Sequence, residues 1–174
     1  MKYFTPELLK RYASKDEAIS EAAGVQWERA CKAYRKHLKE IQPQLPRPAQ
    51  DFLQNCNLHD AQLITFGVGK GPDTLSLLFQ LDGTEECLLL TYWLQRHQSE
   101  FTFPEADQGP LEVEWLYDEL DVVKKGVFKH SILMTGGVEL DLAFSRLQLL
   151  PFRKLRRSPL KVQEVREIRE LVAS

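Results

Sequence analysis

Apolar and polar residues alternate through the stretch 111–144, a pattern that predicts three antiparallel strands. The turn sequences at 124–126 and 135–137 separate the three runs. Alternation places every second side chain on one face of the sheet. The apolar face would carry Leu111, Val113, Trp115, Tyr117, Phe128, Ile132, Met134, Val138, Leu140, Leu142 and Phe144. After Phe144 the chain is expected to leave the sheet.

Three more strands are predicted upstream, at Gln62–Val68, Thr74–Asp82 and Glu86–Leu94. Asp82-Gly83 favours a tight hairpin between the second and third of them. The third run is apolar on both faces, which is typical of a central strand that is covered on each side. The polar arm 95–110 leaves room for one further strand.

Helices are predicted on either side of the strands. Thr5 and Pro6 begin a short helix, and Ser14 begins a long one at Lys15–Ile41, in which apolar residues recur every three or four positions. Prolines between 42 and 48 end the long helix, and a helical turn follows. Ser158-Pro159 opens a last amphipathic helix.

These elements predict an α+β fold with an antiparallel, mostly meander sheet of about six strands. An N-terminal helical pair and a C-terminal helix would pack around the sheet. We divide the chain into an N-terminal helical segment at 1–47, an antiparallel β domain at 48–152, and a basic linker with the C-terminal helix at 153–174. Together they would form one compact unit.

Composition narrows the functional classes. The 174 residues carry a net charge of −2, and the sequence pI is about 6.1. Neither value favours binding to nucleic acid or to an anionic membrane. The apolar run near Cys87–Leu94 is far shorter than the roughly 20 residues that cross a bilayer, and the first residues do not resemble a signal peptide. The three cysteines form no CxxC, so a reducing cytoplasm is the simplest interpretation.

Two ionisable residues interrupt the apolar pattern of the meander. His130 lies in register with the apolar face, and Glu119 lies where the first of the three strands ends or bulges. The turn at 124–126 should bring residues 119–121 opposite residues 129–131, so His130 would face Glu119 or Asp121. In most proteins such a histidine is a hydrogen-bonded core residue rather than a ligand.

The alternative to a hydrogen-bonded core histidine is a divalent-metal site, which is a more specific hypothesis. If His59 also reaches this position, then His59, His130 and Glu119 would suit zinc, manganese or iron, with Asp60 or Asp121 as fourth ligand or base. No HExxH or comparable spacing supports this set. The ordinary interpretation is that Asp60 accepts backbone N–H groups at the strand entry while His59 packs or bonds to a carbonyl.

Three stretches together resemble an uncharacterised bacterial family, a domain of unknown function with helices before a β part. They are residues 1–5 (MKYFT), residues 58–61 (LHDA), and residues 115–119 (WLYDE) followed by 128–133 (FKHSIL) and 139–140 (EL). The resemblance implies a bacterial cytoplasmic protein and no particular activity. The residues that it singles out are His59, Asp60, Tyr117, Glu119 and His130. The basic tail from Arg153 onward lies outside it.

The preferred function is a non-enzymatic protein-interaction or regulatory module without a cofactor, binding a protein partner or a second copy of itself. This rests on the lack of a GxSxG or comparable nucleophile motif. The first alternative is a metal-dependent hydrolase using His59, His130 and Glu119. The second is a nucleic-acid binder, which is disfavoured because acids interrupt the basic face of the long helix. Its contacts would be that face and the cluster Arg153, Lys154, Arg156 and Arg157.

Overall fold

The chain folds as an α+β protein in which helices precede an antiparallel sheet. The computed structural model describes residues 1–69, 73–102 and 112–153. Within these ranges it contains three α-helices and a seven-stranded sheet. The predicted fold class is therefore confirmed. The C-terminal helix predicted after Ser158 lies outside the described residues.

The three helices are α1 at Pro6–Tyr12, α2 at Glu17–Ile41 and α3 at Arg47–Asn55. Asp16, not Ser14, caps α2, because its carboxylate accepts the N–H of the first helical turn. Ser14 lies two residues earlier and accepts the N–H of Asp16 instead. None of the helices in the described ranges combines the length and hydropathy that a membrane crossing requires.

The sheet consists of two three-stranded meanders that pair with each other through their last strands. The spatial order of its strands is β1-β2-β3-β7-β6-β5. The short strand β4 lies outside this order and pairs with residues 139–141 of β7. The strands are β1 at Gln62–Val68, β2 at Thr74–Gln80, β3 at Glu86–Leu94, β4 at Glu100–Thr102, β5 at Trp115–Lys124, β6 at Val127–Met134 and β7 at Val138–Arg153. β1 and β3 have the bounds predicted from sequence.

β7 is longer than the sequence pattern indicated. The expectation that the chain leaves the sheet after Phe144 is wrong, since β7 continues to Arg153. Its first half pairs with β6, and its second half pairs with β3 from Phe144 onward. This long strand is the connection that makes one sheet out of two meanders.

The sheet curls until its two outer strands meet at one end. The Leu63 N–H donates to the Val113 carbonyl at 2.8 Å, and the Trp115 N–H donates to the Ala61 carbonyl at 2.9 Å. The enclosed face holds the main core, including Tyr92, Phe79 and Phe144. From α3, Ala49 and Phe52 enter the same core. Helix α3 therefore covers the concave side of the sheet.

Helix α2 packs along the free side of β5. The hydroxyl of Tyr34 accepts the backbone N–H of Leu120 at 2.7 Å. An edge strand presents such unpaired groups, and covering them blocks pairing with another chain. Burial of Tyr34, together with nearby carboxylates, raises its pKa well above the ordinary value, so the phenol stays protonated. Helix α2 thus packs on the sheet of its own chain.

Candidate functional site

His130 belongs to a buried hydrogen-bond network on the inner face of the sheet. Its side chain is fully buried. Nε2 lies 3.0 Å from Oδ2 of Asp118, and Nδ1 lies 2.9 Å from the Tyr92 hydroxyl. Because an ionised carboxylate can only accept, we assign the ring proton to Nε2, which leaves Nδ1 to accept from Tyr92. Both ring nitrogens are therefore occupied by the protein itself.

The two partners of His130 fit this assignment. Burial, and then the charge of Asp118, raise the pKa of Tyr92 well above the ordinary value, so the phenol remains a donor. The other carboxylate oxygen of Asp118 accepts the indole N–H of Trp115 at 3.2 Å. The network contains the residue types of a catalytic Asp-His-hydroxyl triad, but its hydroxyl belongs to Tyr92, which is fully buried and inaccessible to a substrate.

The partner predicted for His130 was wrong, although the register was right. Glu119 lies opposite Ser131, and Leu120 lies opposite His130. Side chains alternate along a strand, so Leu120 and Asp118 share the face of His130 while Glu119 points to the other face. Asp121 also points away from His130, and its carboxylate lies 3.0 Å from Nε2 of His37.

Glu119 ties the N-terminal residues to β5. Its carboxylate accepts the backbone N–H groups of Lys2, Tyr3 and Phe4 at 2.7, 2.6 and 2.7 Å. The residue is only 6% exposed. Three N–H donors satisfy the charge of a buried carboxylate, which otherwise would cost several kcal/mol to desolvate. Glu119 therefore has a structural role, which is to hold the N-terminal backbone against β5.

The structure does not bring the proposed metal ligands together. His130 is bound to Asp118, Glu119 is bound to backbone amides, and Nδ1 of His59 lies 2.9 Å from its neighbour Asp60. In the described ranges, which include all of these residues, no group of three or more His, Cys, Asp or Glu side chains is placed to hold a metal ion.

His59, Asp60 and Tyr117 do converge, at the junction of the helices with β1 and β5. The rings of His59 and Tyr117 meet edge to face with centroids 5.3 Å apart. Trp27 of α2 meets Tyr117 at 4.5 Å and stacks on Tyr12 of α1 at 5.7 Å. We call this set of five residues the aromatic surface. It remains open to solvent, since Tyr12 is 46% exposed and the side chains of His59 and Asp60 are about half exposed.

A tight turn before β1 positions the polar part of the aromatic surface. Asp60 has a φ of +64°, a left-handed conformation that aspartate adopts more readily than most residues. Its N–H donates to the carbonyl of Trp115 at 2.8 Å, which fixes the turn against the start of β5. Burial, followed by the proximity of Tyr12, Cys31 and Asp60, raises the pKa of Tyr117, so its hydroxyl stays neutral.

The sequence singles out three of the five residues of the aromatic surface, His59, Asp60 and Tyr117. Trp27 fits the apolar periodicity of α2, which predicts a packed residue rather than a binding residue. Tyr12 gave no periodic signal at the end of a short helix. The signal that was available is the excess of aromatic residues among the first 34 positions, which supply Tyr3, Phe4, Tyr12, Trp27 and Tyr34.

The outer face of β6 and β7 carries a second polar cluster. Lys129 donates to Asp141 at 2.8 Å, and the Ser131 hydroxyl donates to the other carboxylate oxygen. Burial alone would raise the pKa of Asp141, but these two hydrogen bonds outweigh burial and lower it. Burial, and then the carboxylates of Asp141 and Glu7, raise the pKa of Glu139.

The residues proposed for nucleic-acid binding are only partly described. Lys154, Arg156 and Arg157 lie outside the described residues, and Arg153 ends β7 opposite Glu86. On α2, the exposed Lys32 lies 3.9 Å from Glu28, in keeping with the acids that interrupt the basic face. Nucleic-acid binding therefore stays a prediction.

Comparison with known proteins identifies no relative. A scan of protein-family models matches no family, and searches of curated proteins and of solved structures return no significant match. The resemblance to an uncharacterised bacterial family is untested by these comparisons and stays a prediction.

Proposed function

We propose that the protein is a non-catalytic interaction module and that the aromatic surface binds a protein partner. The observation that supports this most is the chain of ring contacts from Tyr12 through Trp27 and Tyr117 to His59, which is packed while its two end residues, Tyr12 and His59, are about half exposed. By contrast, His130 and Glu119 are fully engaged in internal hydrogen bonds.

The composition and rigidity of the aromatic surface suit protein binding. Trp and Tyr supply a large share of the residues that dominate binding energy at interfaces. Trp27 is held from three sides, by Tyr12, Tyr117 and Phe4 at centroid distances of 4.5 to 5.7 Å. Because the rings are already ordered, binding would cost little further side-chain entropy.

The charge of the surface favours a cationic group on the partner. Aromatic ring faces attract an Arg or Lys side chain, and the carboxylate of Asp60 lies at the edge of the rings. His59 shares this carboxylate, so a partner guanidinium would join an existing hydrogen-bonded pair. We infer a partner segment with an Arg or Lys beside an apolar residue.

A catalytic use of the same residues is less well supported. Nδ1 of His59 is turned toward Asp60, and the raised pKa of Tyr117 keeps its hydroxyl from acting as a nucleophile near neutral pH. The aromatic surface therefore offers contact area and a hydrogen-bonded pair rather than an activated group.

Selection of peptides from a displayed random library against the immobilised full chain tests the proposal. We expect enriched peptides with Arg or Lys next to an apolar residue. Tyr12→Ala and His59→Ala should each weaken binding by about tenfold or more, the scale of an interface hot spot. Val123→Ala is the matched control, because Val123 is 50% exposed on β5 but outside the aromatic surface. Enriched peptides that bind all variants equally would contradict the proposal.

A further inference from the structure

A cleft of about 490 Å³ lies between the end of α3 and the ends of β3 and β7. Its floor is apolar and includes Leu81, Leu88 and Leu149, which pack with the main core. Small-molecule sites in proteins usually occupy roughly 300–1,000 Å³ and are lined mainly by apolar side chains. The α3 cleft shares no residue with the aromatic surface, so the two sites are independent of each other.

We propose that the α3 cleft binds a small, uncharged, mainly apolar molecule with one hydrogen-bond-donating end, of the class of a medium-chain alcohol. The apolar floor provides the favourable burial for a hydrocarbon body. The end of the ligand that carries the hydroxyl would lie at the polar rim.

The rim accepts hydrogen bonds and disfavours an anion. Asp51 and Glu86 contribute carboxylates, and Asn55 and Asn57 contribute amides. The last turn of α3 also ends here, where helix carbonyls lack intrahelical partners and the helix dipole is negative. A carboxylate head on the ligand would meet like charge at this rim.

A cationic head is also disfavoured. The carboxylate of Asp51 lies 2.9 Å from the Arg47 guanidinium, so part of its charge is already compensated. An ammonium group would lose its hydration, and the Asp51 carboxylate that it would meet is already shared with Arg47. Cys56, also on the rim, adds a neutral group, because burial and then the charge of Asp51 raise the pKa of its thiol.

Three ligands with the same tail test the inference on the full chain: 1-octanol, octanoate and octylamine. We expect 1-octanol to raise the melting temperature in a saturable way, since only binding to the native state stabilises by mass action. Octanoate and octylamine should bind about tenfold more weakly or not at all. No saturable effect of 1-octanol would overturn the site, and equal binding of either charged ligand would overturn the uncharged class.

A pair of adjacent substitutions locates the binding. Leu149→Trp should fill the cleft and abolish the effect of 1-octanol, whereas Leu150→Trp should leave it intact. Leu149 lines the cleft, while Leu150 points to the other side of β7 and is 50% exposed. Equal loss in both variants, or in neither, would overturn the assignment to this cleft.

A thiol measurement covers the case in which Leu149→Trp does not fold. In a Cys31→Ser variant, Cys56 is the partly exposed cysteine that remains, because Cys87 is buried. Saturating 1-octanol should slow alkylation of Cys56 by iodoacetamide, and octanoate should not. An alkylation rate that 1-octanol leaves unchanged would overturn the proposal.

Discussion

Nε2 of His130 lies 3.0 Å from Oδ2 of Asp118, across the β5–β6 hairpin and two residues away from Leu120, which lies directly opposite His130. The contact joins the one fully buried histidine in the described ranges to a carboxylate that also holds Trp115. This contact gives His130, the histidine that interrupts the apolar pattern, a structural role in the core. The functional surface therefore has to be sought elsewhere in the molecule.

Loss of His130 should destabilise the protein strongly. His130→Ala leaves a cavity and deprives the buried Tyr92 hydroxyl of its acceptor, so the free energy of unfolding should fall by about 3 kcal/mol or more. Tyr92→Phe removes only one hydrogen bond and should cost about 1 kcal/mol. Urea denaturation measures both values. A loss of less than about 1 kcal/mol in His130→Ala would contradict the network.

Glu119 should control the order of the N-terminal residues. In Glu119→Ala the backbone amides of Tyr3 and Phe4 lose their acceptor, and stability should fall by about 2–3 kcal/mol. Amide hydrogen exchange should accelerate at these two residues, whereas amides in the middle of β6 stay protected. Glu85→Ala, at an exposed loop position, serves as the control. Unchanged exchange at residues 3 and 4 would show that Glu119 does not hold them.

Glu139 should make stability depend on pH in a defined direction. Burial raises its pKa above the ordinary 4.5, so the folded state binds this proton more tightly than the unfolded state does. The resulting stabilisation is fully present below pH 4.5 and is lost as pH rises through the raised pKa. Glu139→Gln should therefore raise the melting temperature at neutral pH, and the advantage should disappear in acid. A pH-independent difference would contradict the shift.

Divalent metals should not stabilise the protein through the histidines. His130 and Glu119 have their hydrogen-bonding positions occupied, and His59 lies against Asp60. Melting temperatures in EDTA, zinc and manganese should agree within error. A rise specific to one metal, abolished by both His59→Ala and His130→Ala, would restore the metal-dependent hydrolase as the better hypothesis.

Local patterns in the sequence predicted most of the elements. Alternation located β1 to the residue, a continuous apolar run located β3, and the turn at 124–126 placed residues 119–121 opposite 129–131. The predicted register was correct, but the predicted partner of His130 was wrong because Glu119 and Asp121 lie on the opposite face of the sheet. Asp118 lies diagonally opposite on the same face, a geometry that the period-two rule allows but that does not follow from direct opposition.

Long-range pairing was beyond the reach of local patterns. The second half of β7 is rich in apolar residues on both sides of Pro151, and its pairing with β3 depends on a strand more than 50 positions away. The same holds for the contact of Ala61 and Leu63 with residues 113–115. Such pairings depend on how the whole sheet curls, which neither segment encodes alone.

A ¹H–¹⁵N NMR titration of the full chain with a synthetic copy of a selected peptide tests the interaction function most directly. The three tryptophans give three indole N–H signals. Trp27 lies in the aromatic surface, Trp115 is buried and bonded to Asp118, and Trp93 is covered by Arg146 at 4.4 Å. We predict a saturable shift of the Trp27 indole signal while the other two stay in place. A saturable shift at Trp93 or Trp115 with Trp27 unmoved would contradict the account.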